Sequence, residues 1–293
     1  MSKKIFKTLD EQISILKERK LRIDDETEAK EFLRLNNYYR VSGYSLTLRD
    51  HDVFYENANF SNIVDIYMFD HCLRHILLKY LEQIEVKIKS IYAYEFARLH
   101  GALGYMSSSN FVNLPEYLRI MGKVNEQAER NLKQEAYIQH YLIDLEEDMP
   151  IWVYVDLFTI AEISKLYSIS KKELKEQVAT SFGFTKTNGA NLLGEYLYSL
   201  TNVRNLCAHG SRLFNRLFIR KPTLNSKERK LLIVSEDGEI DNSHLYGFVI
   251  MMKRLLTNES FFELKSDLIS LHNRYPFVGM KYYGFREDWK ENL

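Results

Sequence analysis

Three residues with the chemistry to act on a phosphodiester lie within six positions of one another: Arg204, Asn205 and His209. Histidine titrates near neutral pH and can transfer protons, and arginine stays charged and can donate two hydrogen bonds to phosphate oxygens. Cleavage of RNA without a metal needs a base for the 2′-hydroxyl, an acid for the 5′-oxygen and positive charge for the phosphorane. The segment therefore predicts a ribonuclease site, although this spacing alone is a weak signal.

The spacing also predicts how the three side chains are arranged. On a helix Asn205 and His209 are four residues apart and share a face, so the amide could bind the imidazole or a phosphate. Arg204 lies about 140° around the helix from His209, but its side chain is long enough to reach that face. Gly210 suits a left-handed helix cap, which would put His209 at the helix C-terminus, where the dipole favours imidazolium and an acid role.

A basic run continues from this motif. The segment from Arg204 to Lys230 contains eight Lys or Arg and one acid, Glu228. The residues predicted to bind RNA phosphates are Arg212, Arg216, Arg220 and Lys221, and the three arginines would form one stripe if the segment were helical. A second interpretation stays open, with the histidine in a core contact, the arginine in a surface ion pair and the run as a solvated face.

Composition limits the classes of protein. The 293 residues are 45% hydrophobic and 27% charged, with 4 Pro and 12 Gly, as expected for a helix-rich globular chain. Forty basic against forty acidic residues argue against general coating of nucleic acid. Two cysteines, Cys72 and Cys207, are too few for a disulfide framework and favour the cytoplasm. We expect no membrane span, no cofactor and no metal.

Helical periodicity dominates and predicts an all-α fold. Apolar residues recur every three or four positions from Asn62 to Leu99, which predicts one long helix capped by Ser61, and the motif helix spans 191–209. Capping boxes are predicted at Thr8–Glu11 and Ser170–Glu173, and first-turn prolines at Pro115 and Pro150. Further helices are predicted at about 8–21, 25–37, 115–133, 151–167, 243–256 and 260–273.

One short β-hairpin and three regions complete the prediction. Residues 217–219 and 230–234 could pair as a hairpin, with a closing turn at Glu236-Asp-Gly238. Residues 1–60 would form an N-terminal helical extension, residues 61–274 the helical core, and residues 275–293 a tail docked on it.

Two other groups are weaker candidates. His71 and His75 lie four residues apart beside Asp70, which is a metal-like spacing, but no further His or Cys is near in sequence. An aromatic segment contains Tyr38, Tyr39, Arg40 and Tyr44, which could stack on bases but is more typical of core and turn positions. Cys207 is interpreted as a small buried hydrophobe.

Four sequence blocks together resemble a known family. They are Tyr38-Tyr-Arg-Val-Ser-Gly-Tyr44; Tyr67-Met-Phe-Asp-His-Cys-Leu-Arg74 with Ile84-Glu-Val86; Pro150-Ile-Trp-Val153 with Leu166-Tyr167; and Val203-Arg-Asn-Leu-Cys-Ala-His209 with Arg212-Leu-Phe-Asn-Arg216. With the closing Gly284-Phe-Arg-Glu-Asp-Trp289, the chain resembles the Abi-like abortive-infection proteins of bacteria (AbiD/AbiF group), a branch of the HEPN superfamily. The blocks cover roughly residues 30–290.

The resemblance implies a HEPN-like helical bundle, a homodimer and an endoribonuclease whose Arg-x4–6-His motif corresponds to Arg204 and His209. It implies a role in phage defence or a toxin–antitoxin pair, with an antitoxin that is a non-coding RNA or a nucleotidyltransferase-type protein. The family often has a second histidine where this chain has Gly210. Because one histidine cannot be acid and base in the same step, we predict a two-fold dimer that pairs two His209. The alternative is a non-catalytic HEPN module that binds RNA or a partner.

Overall fold

One helix of 41 residues, α4 (Phe60–His100), forms the axis of the fold in a computed structural model that describes residues 5–234 and 237–293. Asn59, not the predicted Ser61, caps it, because the Asn59 side chain accepts the Ser61 N–H while the Asn62 side chain accepts the Asn59 N–H. The inward stripe includes five fully buried side chains, Leu73, Leu77, Leu81, Ile84 and Ile88. Each contributes about 1.5–3 kcal/mol on burial, so packing stabilises this length.

The remaining elements are short to medium helices. They are α1 (Leu9–Glu18), α2 (Glu26–Asn36), α3 (Tyr38–Ser42), α5 (Leu114–Asn131), α6 (Ala136–Gln139), α7 (Ile151–Tyr154), α8 (Ile160–Ile169), α9 (Lys172–Ser181), α10 (Gly189–Ala208), α11 (Ser226–Arg229), α12 (Leu245–Met252), α13 (Asn258–Arg274) and α14 (Trp289–Asn292). Short 3₁₀ turns lie at Gly104–Met106, Ser108–Asn110, Val155–Leu157 and Met280–Tyr283, and a π turn lies at His140–Asp144. In the described ranges the only ladder joins β1 (Arg49–Asp50) and β2 (Val53–Phe54), antiparallel, with Arg49 opposite Phe54. The predicted all-α class is confirmed.

The helices pack around α4. It contacts α7, α9, α10 and α13, and α10 in turn contacts α8, α9 and α12. The predicted packing of the long helix beside the motif helix is confirmed. Buried residues of α1, α2 and the C-terminal tail belong to the same hydrophobic core as α4. The division into three regions at about residues 60 and 274 stays a prediction. No described helix is long and apolar enough to cross a membrane.

The predicted hairpin between 217–219 and 230–234 is wrong. Leu217–Ile219 lie outside any strand, and the Phe218 N–H donates to the Ser243 carbonyl at 2.7 Å while its ring packs on Phe248 at 4.5 Å. Asn225 caps the short helix α11 instead of joining a turn. Val234 makes one isolated antiparallel bridge with Ile240. The predicted closing turn begins at Glu236, which lies outside the described residues.

Other helix boundaries follow local capping chemistry. The capping box of Thr8 and Glu11 and the first-turn position of Pro115 are confirmed. The predicted single helix 151–167 is divided, because Thr159 and Glu162 form a capping box that begins α8. The predicted box at Ser170 is wrong. Its buried hydroxyl donates to the Leu166 carbonyl at 2.7 Å instead of capping α9.

Candidate active site

The motif helix ends in a left-handed glycine turn that fixes the position of His209. The helix α10 ends at Ala208, one residue before the predicted end, and His209 is its C-cap. Gly210 has a φ of +63°, and its N–H donates to the Cys207 carbonyl at 3.1 Å. The N–H of Ser211 donates to the Leu206 carbonyl at 2.8 Å. These two bonds form a Schellman motif, for which glycine is suited because it has no Cβ. The predicted left-handed cap is confirmed.

His209 presents its imidazole to solvent. The residue is exposed, and its backbone N–H is bonded to the Asn205 carbonyl at 3.0 Å. Within the described part of the chain, its side chain makes no hydrogen bond, so the predicted contact with the Asn205 amide is not formed there. The C-terminal end of α10 favours a positive charge at this position. The exposed imidazole is therefore accessible to a ligand.

Arg204 lies in a groove of about 390 Å³ between α10 and α4. Its Nε is 3.6 Å from Oε2 of Glu85, and 32% of its side chain is exposed. Glu85 also pairs with Lys89 at 3.3 Å. Ala208 lines the groove together with Arg204, so the groove extends along α10 to the residue before His209. Larger cavities lie elsewhere, one of about 610 Å³ beside Trp152 and one of about 560 Å³ beside Tyr105.

The segment after His209 is held from inside by Asp70, a fully buried residue of α4. Its Oδ1 accepts the backbone N–H of Phe214 at 2.8 Å, and both of its oxygens lie 3.2 Å from the N–H of Leu213. Buried backbone hydrogen-bond donors of this kind need a partner, because leaving one unsatisfied costs about 1–3 kcal/mol in stability. Asp70 therefore fixes the backbone four to five residues beyond His209.

Three further side chains complete what we call the Asp70 network: Tyr44, Arg74 and Tyr283. Arg74 is 3% exposed and donates to Asp70, Tyr44 donates at 2.8 Å and Tyr283 at 3.1 Å. Arg74 Nη1 also lies 3.5 Å from the Ser211 carbonyl. Burial raises the pKa of Asp70, and the charge of Arg74 and these hydrogen bonds act in the opposite direction. All of its partners donate, as the ionised carboxylate requires.

Two arginines tie the same turn to the segment around α3. Arg40 Nη2 donates to the Gly210 carbonyl and its Nε to the Tyr67 hydroxyl at 3.3 Å. Arg212 Nη1 donates to the Gly43 carbonyl. The aromatic segment is thus largely a turn and core element, with Tyr44 fully buried in the Asp70 network. Of its other aromatic residues, Tyr38 is half-buried and Tyr39 is 87% exposed.

The predicted phosphate-binding residues are not arranged as one helical stripe. Residues 211–220 contain no helix, so the four-residue spacing does not align them. Arg212 is half-buried and bonded to Gly43, and Arg216 Nη1 donates to the Arg212 carbonyl at 3.1 Å. Arg220 stacks on the ring of Tyr198 at 4.1 Å. Arg220 and Lys221 are exposed, Arg216 is half-buried, and these three carry the accessible charge of the predicted set.

His71 and His75 lie on the exposed side of α4. Their ring centroids are 4.6 Å apart with an interplanar angle of 67°. Burial, followed by the charges of His75, Arg74 and Arg40, lowers the pKa of His71. Asp70 points away from the pair into its own network. Across residues 5–234 and 237–293, no three His, Cys, Asp or Glu side chains gather closely enough to hold a metal ion.

Sequence reasoning missed the residues that position the site. Arg74, Tyr283 and Glu85 were not among the predicted site residues, and Asp70 was considered only as a neighbour of a metal site. One signal was present: Asp70 and Arg74 are an i, i+4 charged pair on the apolar stripe of α4. Cys207 fits its interpretation as a buried residue, and burial raises its pKa to about 12, which makes it a poor nucleophile at neutral pH.

Fold and site together describe an all-α protein whose motif helix ends in an exposed histidine beside a groove that contains an arginine. The chain matches the Abi-like protein family over residues 31–215, well over half of its length, and belongs to that family. The matched range contains α4 and the whole motif helix. No curated protein and no solved structure gave a significant match. The predicted family is confirmed, and the finer HEPN assignment stays a prediction.

Proposed function

We propose that the protein is a metal-independent endoribonuclease that acts as a toxin in bacterial abortive infection or in a toxin–antitoxin pair. One observation carries the proposal: an exposed imidazole, which makes no hydrogen bond to the described residues, lies at the end of α10, next to a groove that contains a guanidinium. Membership of the Abi-like family supports the role in phage defence.

The chemistry assigned to the site is an internal transesterification. The 2′-oxygen of one nucleotide attacks the adjacent phosphorus, the bond from phosphorus to the 5′-oxygen breaks, and the products are a 2′,3′-cyclic phosphate and a 5′-hydroxyl. His209 donates a proton to the leaving 5′-oxygen, because an exposed imidazole can act as a general acid. Arg204 stabilises the phosphorane through its fixed positive charge. Asn205 is the third residue of the proposed catalytic set, as a hydrogen-bond donor to phosphate.

The RNA substrate would extend from this site across the basic run. Arg216, Arg220 and Lys221 neutralise phosphates, and Arg212 contributes mainly by fixing the turn through Gly43. We propose a homodimer and an antitoxin, either a non-coding RNA or a nucleotidyltransferase-type protein, on the basis of the family resemblance. The motif contains one histidine, so the second proton-transfer group comes either from a facing copy or from elsewhere in the same chain.

A non-catalytic RNA-binding module is the second candidate, and the ion pair between Arg204 and Glu85 is the observation that favours it. A guanidinium held by a carboxylate is less available to a phosphorane. The two candidates differ in what happens to bound RNA. The enzyme cuts it, and the module holds it intact.

The decisive experiment incubates the purified protein with mixed RNA in EDTA and identifies the product ends. We expect 2′,3′-cyclic phosphate ends, and we expect His209→Ala and Arg204→Ala each to lower the rate by about 10²–10⁴-fold. His51→Ala is the matched control, because His51 is exposed and lies in the β1–β2 turn, outside the proposed site. RNA that binds but stays uncut would support the module. Cleavage that survives His209→Ala but stops in EDTA would contradict the assignment.

A further inference from the structure

One face of α4 connects the groove to the exposed histidine pair. Six side chains recur on it every three or four residues: His71, His75, Leu78, Glu82, Glu85 and Lys89. At 100° per residue they share a sector of about 80° of the helix circumference. The last four line the groove together with Arg204 and Ala208. His71 and His75 therefore lie on the face of α4 that lines the groove, one and two turns beyond Leu78 towards the N-terminus of α4.

The register of the two helices places His209 at the level of this pair. The helices are antiparallel, because Arg204 pairs with Glu85, whereas the chain after α10 meets Arg74, which precedes Glu85 on α4. Three residues after Ala208, the Ser211 carbonyl lies 3.5 Å from Arg74. His209 lies between Ala208 and Ser211, and His75 lies between Leu78 and Arg74. Both histidines thus belong to the same level of the α4–α10 interface.

A third element, α3, contacts the turn at the end of α10. Arg40 donates to the Gly210 carbonyl, directly after His209. The same guanidinium donates through Nε to the Tyr67 hydroxyl at 3.3 Å, and Tyr67 lies one turn before His71 on α4. Arg40 therefore joins the turn after His209 to the part of α4 one turn before His71. The charged and titratable groups that act on the pKa of His71 are Arg40 from α3 and Asp70, Arg74 and His75 from α4.

We infer that the His71–His75 pair supplies the second proton-transfer group of the ribonuclease site, from the same chain as His209. The inference rests on the proposed function. One imidazole of the pair takes the proton of the 2′-hydroxyl as the bond between the 2′-oxygen and phosphorus forms. His209 gives its proton to the 5′-oxygen as the bond between phosphorus and that oxygen breaks. Exchange with water returns both groups to their starting states.

The environment of the pair suits a base. Two imidazoles with centroids 4.6 Å apart do not both hold a proton easily, since like charges at short distance repel. The positive charges of Arg74 and Arg40 add to this effect and, with burial, lower the pKa of His71. A neutral imidazole near pH 7 is the form that accepts a proton. The pair and His209 then divide the base and acid roles.

The test compares His71→Ala, His75→Ala and the double variant with wild-type protein in EDTA, with His51→Ala as control. Both positions are exposed, so folding is expected to be preserved, and circular dichroism checks it. The double variant should lose cleavage by about 10²–10⁴-fold, as His209→Ala does. Binding of an uncleavable 2′-deoxy analogue should stay unchanged. The double variant should also lose the acid limb of the pH–rate profile, which reports the base.

A mixing experiment asks which chain contributes the base. If both groups act within one chain, a mixture of His209→Ala protein and His71→Ala/His75→Ala protein stays inactive, because neither chain has a complete site. Recovery of cleavage in the mixture would overturn the same-chain assignment. A double variant that cleaves as fast as wild type, while His209→Ala is inactive, would overturn the inference and leave the proposed function standing. Wild-type protein that does not cut RNA would overturn both.

Discussion

The two sides of the turn that follows the motif helix differ in almost every physical respect. On the inner side, Asp70 is fully buried and accepts hydrogen bonds from Arg74, two tyrosine hydroxyls and two backbone N–H groups. On the outer side, His209 is exposed and its imidazole has no hydrogen bond within the described residues. Leu213, whose backbone N–H is the first that Asp70 binds, is the fourth residue after His209.

This difference shows how an exposed reactive group can be placed without being tied. A side chain that must exchange protons and bind a substrate cannot be committed to internal hydrogen bonds. Its position is then set by the backbone, here by the glycine turn and by a buried carboxylate that holds the following N–H groups. Such networks are costly when incomplete, because a buried charge without its partner is strongly destabilising.

Removing the inner anchor should have the largest effect. Asp70→Ala leaves the buried Arg74 charge and two backbone N–H groups without their partner. We expect a loss of about 3–5 kcal/mol in the free energy of unfolding, measured by urea denaturation, and a loss of RNA cleavage although Asp70 does not contact the groove.

The matched control is Glu126→Ala, which removes one carboxylate from an exposed pair with Arg130. Exposed pairs contribute about 0–1 kcal/mol, so this variant should unfold almost as wild type does. If Asp70→Ala were as stable as the control, the contrast between the buried and exposed sides of the turn would lose its energetic basis.

The glycine turn gives the next largest effect. Gly210→Ala should cost about 1–2 kcal/mol, because a Cβ is strained at a φ of +63°. Space is not the cause, since the added Cβ would meet Arg40 Nη2 at 3.5 Å, an ordinary contact. Gly122→Ala, in the exposed middle of α5 with nothing within 4 Å, should instead stabilise by about 0.5–1 kcal/mol. Thermal unfolding of both variants checks the opposite signs, and equal signs would contradict the backbone argument.

The features of the fold that depend on neighbouring residues could be predicted from the sequence. The capping box at Thr8, the proline at the start of α5 and the Gly210 cap all depend on residues within one turn. The box predicted at Ser170 failed because tertiary packing prevails there. The buried Ser170 hydroxyl forms a hydrogen bond with the Tyr92 hydroxyl at 2.9 Å. The helix predicted after Pro150 is divided at the capping box of Thr159 and Glu162, which is a local sequence signal. The prediction missed it because it relied on apolar periodicity alone.

The candidate site was predictable only on its outer side. Arg204, Asn205 and His209 are adjacent in the chain, so their relation on a helix follows from their spacing. The Asp70 network joins residues from Tyr44 to Tyr283, and no local pattern contains that pairing. The hairpin prediction failed for a related reason, because Phe218 is fixed by a distant ring, Phe248.

A smaller effect is expected from the carboxylate that faces Arg204. Glu85→Gln removes a negative charge from the groove and releases the guanidinium from an ion pair at 3.6 Å. Because a partly exposed pair contributes about 0.2–1 kcal/mol, an uncleavable 2′-deoxy RNA analogue should bind a few times more tightly. Fluorescence anisotropy measures this, with Glu126→Gln as the control. Weaker binding would mean that Glu85 orients Arg204 more than it competes with phosphate.

The smallest expected effect concerns the pH dependence of stability. It tests whether the exposed side of the turn contributes to the free energy of unfolding. The pKa of His71 is lowered in the folded protein, first by burial and then by its cationic neighbours. Between the lowered value and the ordinary value of about 6.5, the unfolded chain binds a proton that the folded protein does not, so stability falls as the pH decreases through this window. His71→Gln should flatten that fall in thermal unfolding measured from pH 7 to pH 5. The lowered pKa values of His100 and His272 act in the same direction and remain in the variant, so part of the fall should persist. If thermal stability of the variant depends on pH as strongly as that of wild type, the pKa of His71 does not change on folding. The lowering of that pKa by burial and by cationic neighbours would then be wrong.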